Sequence, residues 1–286
     1  MQVTFGNHRR AASTRSPALF SALVNWWREN LPQRGLVTTV RMFCREMWDF
    51  LCDCTPSRRR QRFGDIEFDC DYRVETTAAN VSLRDHLLGV LAGGAYQPCD
   101  PALFHETLQN LRIDYGQFDF IDLGCGKGRA LLLASDYPFR RILGVELFPG
   151  LKQICDENIR QYSSPRQRCF ALESICSDAR NFEFPAVPAV LFLFNPLPEA
   201  GLQRVIRNLE RSLTASPRQV VIIYHNPIRE HVLAASNPLT KISSSLQCAV
   251  YGSREIGCDR QHMSENAASA PRINEAGPNP STDQSS

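Results

Sequence analysis

The stretch that decides the fold is FDFIDLGCGKGRALLLAS, residues 118–135. An apolar run ends at Asp122, three glycines follow at alternate positions, and a second apolar run begins after Arg129. Apolar runs on either side of a glycine-rich turn are typical of a buried strand followed by a helix. In open parallel sheets, such a turn lies at the carboxyl end of its strand, where nucleotide-like ligands bind. The stretch therefore predicts a cofactor site.

The spacing of the glycines distinguishes between two kinds of cofactor site. A dinucleotide site has the pattern G-x-G-x-x-G, and Arg129 occupies its third glycine position here. The pattern present is Asp-x-Gly-x-Gly-x-Gly, running from Asp122 through Gly124, Gly126 and Gly128. S-adenosylmethionine has no phosphate, but it has an ammonium group that a carboxylate at a strand end can receive. The bare glycines would let the backbone approach its amino-acid part and ribose, so we predict S-adenosylmethionine and not NAD.

The rest of the chain alternates between strand-like and helical patterns. A helical pattern covers residues 101–113, and a final apolar run at 246–252 predicts an antiparallel closing strand. Strand-like runs lie at 117–123, 140–146, 168–173, 187–194 and 218–224. This alternation predicts an α/β fold, with a mostly parallel sheet covered by helices on both faces.

Two further acidic residues follow the second and third predicted strands. Glu146 ends the second strand, where a carboxylate can accept hydrogen bonds from both ribose hydroxyls. Asp178 follows the third strand and could accept from the adenine amino group, with the Ala179 backbone amide beside it. A single Asp after a strand is ordinarily a helix cap. Three acids after three consecutive strands, the first being Asp122, favour a cofactor site.

The N-terminal region has a different pattern. Two sets of apolar residues each share a helical face: Leu19, Leu23, Trp26, Trp27 and Leu31 form the first, and Leu36, Val40, Phe43, Met47 and Phe50 form the second. The basic segment SRRRQR (57–62) follows them and is predicted to be a linker. We predict two amphipathic helices that either pack on the main domain or offer a surface to a partner or a membrane. Because the motifs lie downstream, removing residues 1–60 is expected to leave cofactor affinity nearly unchanged.

Composition narrows the function classes. The 286 residues suit one large domain with extensions or two small ones, and the net charge of +2 is too small to indicate nucleic acid or a membrane by itself. The eleven cysteines lack zinc-site spacing, so we predict free thiols, no metal and a cytoplasmic location. No apolar run is long enough to span a membrane. Arg9, Arg10 and Arg15 precede the first acidic residue, Glu29; transit peptides share this pattern, but a solvated basic terminus is the simpler interpretation.

The chain resembles the class I S-adenosylmethionine-dependent methyltransferases through DLGCGKGR at 122–129. More narrowly, it is similar to a group of uncharacterised bacterial proteins that share four more motifs, here YQPCD at 96–100, GVE at 144–146, NP at 195–196 and YHNP at 224–227. The resemblance covers about residues 65–252 and implies a seven-stranded Rossmann-like sheet. We therefore predict N-terminal helices and a linker over 1–64, a methyltransferase domain over 65–252 and a disordered tail over 253–286.

The resemblance also suggests acceptor residues. Asn195–Pro196 resembles the Asn/Asp-Pro-Pro-Tyr/Phe motif, in which the Asn side chain and a Pro carbonyl accept hydrogen bonds from the nitrogen to be methylated. The motif departs here at Leu197, where a proline would stand, and the aromatic residue is absent. The alternative is a turn that ends a buried strand. Tyr224 and His225, at the end of the fifth strand, are candidate pocket residues, with His225 a candidate general base.

Three functions follow from these observations. The first is methyl transfer to a nitrogen of a protein, since a loose resemblance to histone-lysine methyltransferases of this fold exists. The second is methyl transfer to a small molecule or RNA, and the third is a cofactor-binding module without catalysis. Lys127 and Arg129 on the glycine turn could pair with an acidic substrate group or face solvent, and the sequence does not decide between these.

Overall fold

A computed structural model describes residues 19–53, 55, 66–78, 81, 83–92 and 96–253. The predicted linker at 57–62 and almost all of the predicted tail lie outside these ranges. Seven strands form one sheet: β1 (Asp119–Leu123), β2 (Arg141–Glu146), β3 (Leu172–Cys176), β4 (Ala189–Phe194), β5 (Val220–His225), β6 (Leu239–Ser244) and β7 (Cys248–Ser253). Their order is β3-β2-β1-β4-β5-β7-β6.

Strands β1 to β5 are parallel, and β7 runs antiparallel between β5 and β6. This is the Rossmann-like fold of class I methyltransferases, and the predicted closing strand at 246–252 corresponds to β7. The helices in the described ranges are α1 (Leu19–Arg34), α2 (Leu36–Asp53), α3 (Ile66–Tyr72), α4 (Leu83–Ala92), α5 (Pro101–Gln109), α6 (Arg129–Ala134), α7 (Pro149–Gln161), α8 (Glu199–Ala215) and α9 (Glu230–Ala234).

The central strands are mostly apolar because helices cover both faces of the sheet. One layer of the core lies between the sheet and α8, which contributes Leu202, Val205 and Leu209. The other layer contains Phe104 and Leu108 of α5. Every residue of β1 and β5 is buried, so the predicted parallel sheet with two covered faces is confirmed.

Two predicted elements differ from the observed ones by three residues or more at a boundary. The third strand begins at Leu172 and not at residue 168, because the amides of Arg168 and Cys169 donate to the Ser135 carbonyl instead of joining the sheet. The helix predicted over 101–113 ends at Gln109, where the Asn110 cap follows. Apolar side chains continue past both boundaries, so periodicity alone placed them wrongly.

The predicted N-terminal helices are present as α1 and α2, which meet at Gly35 with φ 74°. Trp26 is buried, and its ring lies 5.6 Å from that of Trp27 and 5.4 Å from that of Phe43 on α2. Helix α1 also packs against α4. In the described parts of the chain, no helix is both long and apolar enough to cross a membrane.

Candidate functional site

A cavity opens at the carboxyl ends of β1 to β4, where the strand order reverses between β1 and β4. This is the position at which parallel α/β sheets bind ligands. Seven of the predicted site residues line it: Gly124, Gly126, Glu146, Asp178, Ala179, Asn195 and Pro196. Two predicted cofactor residues, Asp122 and Gly128, do not line the cavity but belong to the strand and turn that form its floor.

The three glycines of the turn all have positive φ, of 94°, 54° and 87°. A Cβ at Gly124 would lie 2.5 Å from the Pro196 side chain, and one at Gly126 would lie 2.2 Å from the Tyr96 ring. A Cβ at Gly128 would lie 2.6 Å from the sulfur of Cys155. Glycine is therefore required for backbone conformation and for packing at each position. The glycine motif is therefore needed for packing within the protein as well as for the approach of a ligand.

Glu146 joins the two turns that flank the cavity floor. Its buried carboxylate accepts hydrogen bonds from the Gly126 amide and from the Phe148 amide, each at 2.8 Å. A carboxylate offers about four acceptor positions, and each of these two amides uses one of them. The arrangement is suited to receive a pair of hydroxyl groups, as the ribose prediction requires.

Asp122 is 3% exposed, and no described residue donates a hydrogen bond to its side chain. Burial raises the pKa of this carboxyl well above its usual range, and the nearby Glu146 carboxylate raises it further. A buried carboxylate is costly in its charged form, and a cation placed beside it would relieve that cost. The residue predicted to receive an ammonium group therefore has the environment that such a group would stabilise.

Asp178 has two interactions within the protein. It accepts from the Arg180 amide at 2.9 Å, which caps the 3-10 helix at Ala179–Asn181, and it pairs with the Arg180 guanidinium at 2.8 Å. The same guanidinium lies 3.5 Å from Glu29 on α1. Asp178 is thus a helix cap, as a single Asp after a strand ordinarily is. It also lines the cavity, together with the buried Ala179.

Helix α1 forms one wall of this cavity through Ala22, Asn25, Trp26 and Glu29. The expectation that residues 1–60 could be removed with little effect on cofactor affinity assumed that the site lies wholly downstream of them, and α1 does not meet that assumption. The predicted apolar face of α1 is buried at Trp26, but Leu19 and Leu31 of the same face are exposed. Apolar periodicity also carries no information about which surface a helix covers. No local motif could have identified this wall.

We expect Ala22→Trp to weaken cofactor binding about tenfold or more, because overpacking costs about 1–3 kcal/mol and falls here on space that the ligand would fill. The matched control is Thr38→Trp, which adds the same side chain at an exposed position of α2. Calorimetric titration with S-adenosylmethionine and thermal unfolding of both variants provide the measurement. Equal affinities for the two variants would place the cofactor away from α1.

Lys127 and Arg129 are both buried and support the turn from beneath. The Lys127 ammonium donates to Glu75 at 2.8 Å and to the Thr77 carbonyl at 3.0 Å. The Arg129 guanidinium donates to the Thr76 hydroxyl at 2.6 Å and pairs with Asp69 at 3.3 Å. Neither side chain faces solvent or lines the cavity, so both alternatives left by the sequence are wrong.

Asn195 has a positive φ of 48° and lines the cavity at the end of β4. Its side-chain oxygen accepts from the Tyr224 hydroxyl at 3.1 Å and from the Arg229 guanidinium at 2.7 Å. These two donors occupy both lone pairs of the amide oxygen. In contrast, no described residue donates a hydrogen bond to the main-chain carbonyl of Pro196.

Tyr224 and His225 do not line the cavity, contrary to the expectation from their position at a strand end. Tyr224 reaches the site only through its hydrogen bond to Asn195. The His225 ring is buried 4.8 Å from that of Phe192 on β4, and its Nε2 lies 3.5 Å from the Thr107 hydroxyl. Burial lowers the His225 pKa to about 4, so the imidazole is neutral at physiological pH and packs in the core.

The cavity carries an excess of negative charge. Among the described residues that line it, the charged ones are Glu29, Glu146, Asp178 and Arg180, and Arg180 is already paired with two of the acids. A pyrophosphate would meet repulsion here, whereas a cationic ligand would be attracted. No set of three potential metal ligands occurs among the described residues.

No protein-family model matches the chain, and no curated protein matches it. Among solved structures, a protein from Pyrococcus horikoshii OT3 is 17% identical, with 53% of this chain and 87% of that one covered and a TM-score of 0.40. TrmN from Thermus thermophilus is 16% identical over 54% of this chain and only 48% of its own length, with a TM-score of 0.39. The N-methyltransferase NodS from Bradyrhizobium japonicum WM9 is 14% identical over 54% and 96%, also at 0.39. At these values the matches say nothing about activity, and the fold assignment rests on the strand order.

Proposed function

We propose that this protein binds S-adenosylmethionine in the cavity and transfers its methyl group to a nitrogen of a protein. The observation that carries the cofactor assignment is an acid-lined cavity directly on a glycine turn, with the buried Asp122 carboxyl beneath it. S-adenosylmethionine carries an ammonium and a sulfonium and has no phosphate, so its charges complement this site.

The residues fit the parts of this cofactor. Asp122, in the strand beneath the turn, would attract the ammonium group, directly or through water. Glu146 would accept from the ribose hydroxyls, and Asp178 with the Ala179 amide would face the adenine. When bound, the cofactor supplies a methyl group activated by the sulfonium. The chain contributes positioning, and α1 and the cavity walls exclude water from the reacting atoms.

For the methyl acceptor, no described residue donates to the Pro196 carbonyl, whereas the Asn195 oxygen already accepts two hydrogen bonds. The Pro196 carbonyl would orient an N–H of the substrate, while Tyr224 and Arg229 hold Asn195 in place. The Asn195 oxygen is already engaged, which weakens the similarity to the motif of nitrogen methyltransferases. Methyl transfer to a small molecule or RNA is therefore the second candidate. A cofactor-binding module without catalysis is the third.

We expect the full chain to bind S-adenosylmethionine and S-adenosylhomocysteine, but not NAD. The cavity has no unpaired cation among its described lining residues to receive a pyrophosphate, and Arg129, at the third glycine position, is held by Thr76 and Asp69. Calorimetric titration with the three compounds is the measurement. Tight NAD binding with no response to either sulfur compound would contradict the proposal.

The cofactor affinity should depend on pH through Asp122. Because burial raises its pKa, the carboxyl of the free protein holds its proton over a wider range than usual, and it must lose that proton to pair with an ammonium. The dissociation constant should therefore fall as the pH rises, by up to about tenfold per pH unit, and level off above the Asp122 pKa. Titrations between about pH 5 and 7 keep the cofactor ammonium charged, and Asp122→Asn should abolish the slope.

The acceptor class can be tested with cofactor that carries a labelled methyl group. The full chain is incubated with a lysate, which is then separated into protein, RNA and small-molecule fractions. We expect label in protein, in a bond that resists mild alkali as N-methyl groups do. Label in RNA or in small molecules would select the second candidate, and no label in any fraction with intact cofactor binding would select the third.

A further inference from the structure

Helix α2 exposes a continuous apolar stripe. The stripe consists of Leu36, Val37, Val40, Trp48 and Leu51, with Val37 79% exposed and Trp48 66% exposed. At 3.6 residues per turn these positions fall within about 120° of the helix circumference. Scattered exposed apolar residues are ordinary on a protein surface, but a single coherent face marks an interaction site.

The face of α2 that adjoins the stripe on the Leu36 side is already used. Thr39 is fully buried, and the Phe43 ring lies 5.4 Å from that of Trp26 and 5.6 Å from that of Trp27 on α1. The packing against α1 therefore fixes the rotation of α2 and leaves the α2 stripe unpartnered among the described residues.

Positive charge borders this stripe. Arg41 and Arg45 are exposed on the adjoining strip of the same helix. Along the sequence, residues 1–18 and 54–63 contain seven further arginines and no acidic residue. An apolar helix face with a Trp near one end and arginines beside it is the pattern of helices that lie in the plane of a bilayer interface.

We propose that the α2 stripe docks on an anionic lipid surface. Insertion of the stripe would bury its apolar side chains, while Arg41 and Arg45 reach the headgroups. A second copy of this chain is a poorer occupant, because pairing the stripes side by side brings these arginines together. The inference is independent of the proposed activity, although α1 of the same helical pair lines the cavity.

The test is flotation of the full chain with vesicles of phosphatidylcholine alone and of phosphatidylcholine mixed with phosphatidylglycerol. We expect binding to the mixed vesicles, weakened about tenfold or more by the double variant Trp48→Ser/Leu51→Ser, since each side chain loses most of its apolar burial. The matched control, Phe170→Ser/Leu246→Ser, removes two exposed apolar side chains elsewhere and should bind as the unmodified chain does. A further variant, Arg41→Ser/Arg45→Ser, should lose much of the preference for phosphatidylglycerol.

Thermal unfolding of every variant establishes that the fold is retained. Failure of the full chain to bind either vesicle would overturn the proposal, as would equal binding to both kinds of vesicle. Equal weakening by the stripe and control variants would also overturn it. If the full chain is instead a dimer that Trp48→Ser/Leu51→Ser converts to monomer, and no vesicle binds, a second copy covers the stripe.

Discussion

Arg129→Ala is expected to lower the free energy of unfolding by about 3–5 kcal/mol, because it removes one member of a buried ion pair. Arg129 is 2% exposed, and its guanidinium contacts Asp69, Thr76 and the Phe68 ring at 4.8 Å. Without it, the donors to the buried Asp69 carboxylate among the described residues are all neutral, namely the Thr76 and Thr77 amides and the Thr76 hydroxyl. The loop that Arg129 holds also carries Thr77 and Glu75, which bind Lys127, so cofactor affinity should fall in the same variant.

Urea unfolding of the two proteins measures this effect, and Arg160→Ala is the matched control. Arg160 also pairs with a carboxylate, Glu157, but both side chains are more than half exposed. A surface pair of this kind contributes little, so the control should change stability by less than about 0.5 kcal/mol. Similar small losses in both variants would show that Arg129 is not an anchor of the turn.

The sheet was predictable from sequence because its main features are local. Each parallel strand is a short apolar run, and the glycine motif fixed which strand end carries the site. Glu146 and Asp178 could be placed near Gly126 because the carboxyl ends of neighbouring parallel strands meet at one edge of the sheet.

The roles of Lys127, Arg129 and α1 were not predictable, for a common physical reason. Lys127 and Arg129 are charged residues beside a cofactor motif, and charged residues are usually exposed or functional. Their partners lie 50 to 60 positions earlier in the chain, in a segment whose sequence does not mark it as complementary. The same holds for α1, whose contact with the cavity depends on the tertiary path through α4. A local sequence pattern predicts the helix or strand to which a residue belongs, but not which other element packs against that residue.

Glu146→Ala should raise the dissociation constant for the cofactor roughly tenfold to a hundredfold, since charge-assisted hydrogen bonds to a ligand contribute about 1.5–3 kcal/mol. The structure adds a second effect, because the carboxylate also receives the Gly126 and Phe148 amides. Loss of both acceptors should lower the free energy of unfolding as well. Glu173→Ala on the neighbouring strand, where the carboxylate is half exposed, is the matched control and should change neither quantity appreciably.

A thermodynamic cycle separates direct contact with the ribose from support of the turn. S-adenosylhomocysteine and its 2′-deoxy analogue are titrated against the unmodified chain and against Glu146→Ala. If the carboxylate accepts from the ribose hydroxyls, removing the 2′-hydroxyl should weaken binding to the unmodified chain but hardly affect the variant, because the two changes remove the same interaction. If Glu146 acts only by holding the amides of Gly126 and Phe148, the analogue should lose the same factor in both proteins. Additive losses would thus assign Glu146 to the support of the turn, and the ribose contact would have to come from another residue of the cavity.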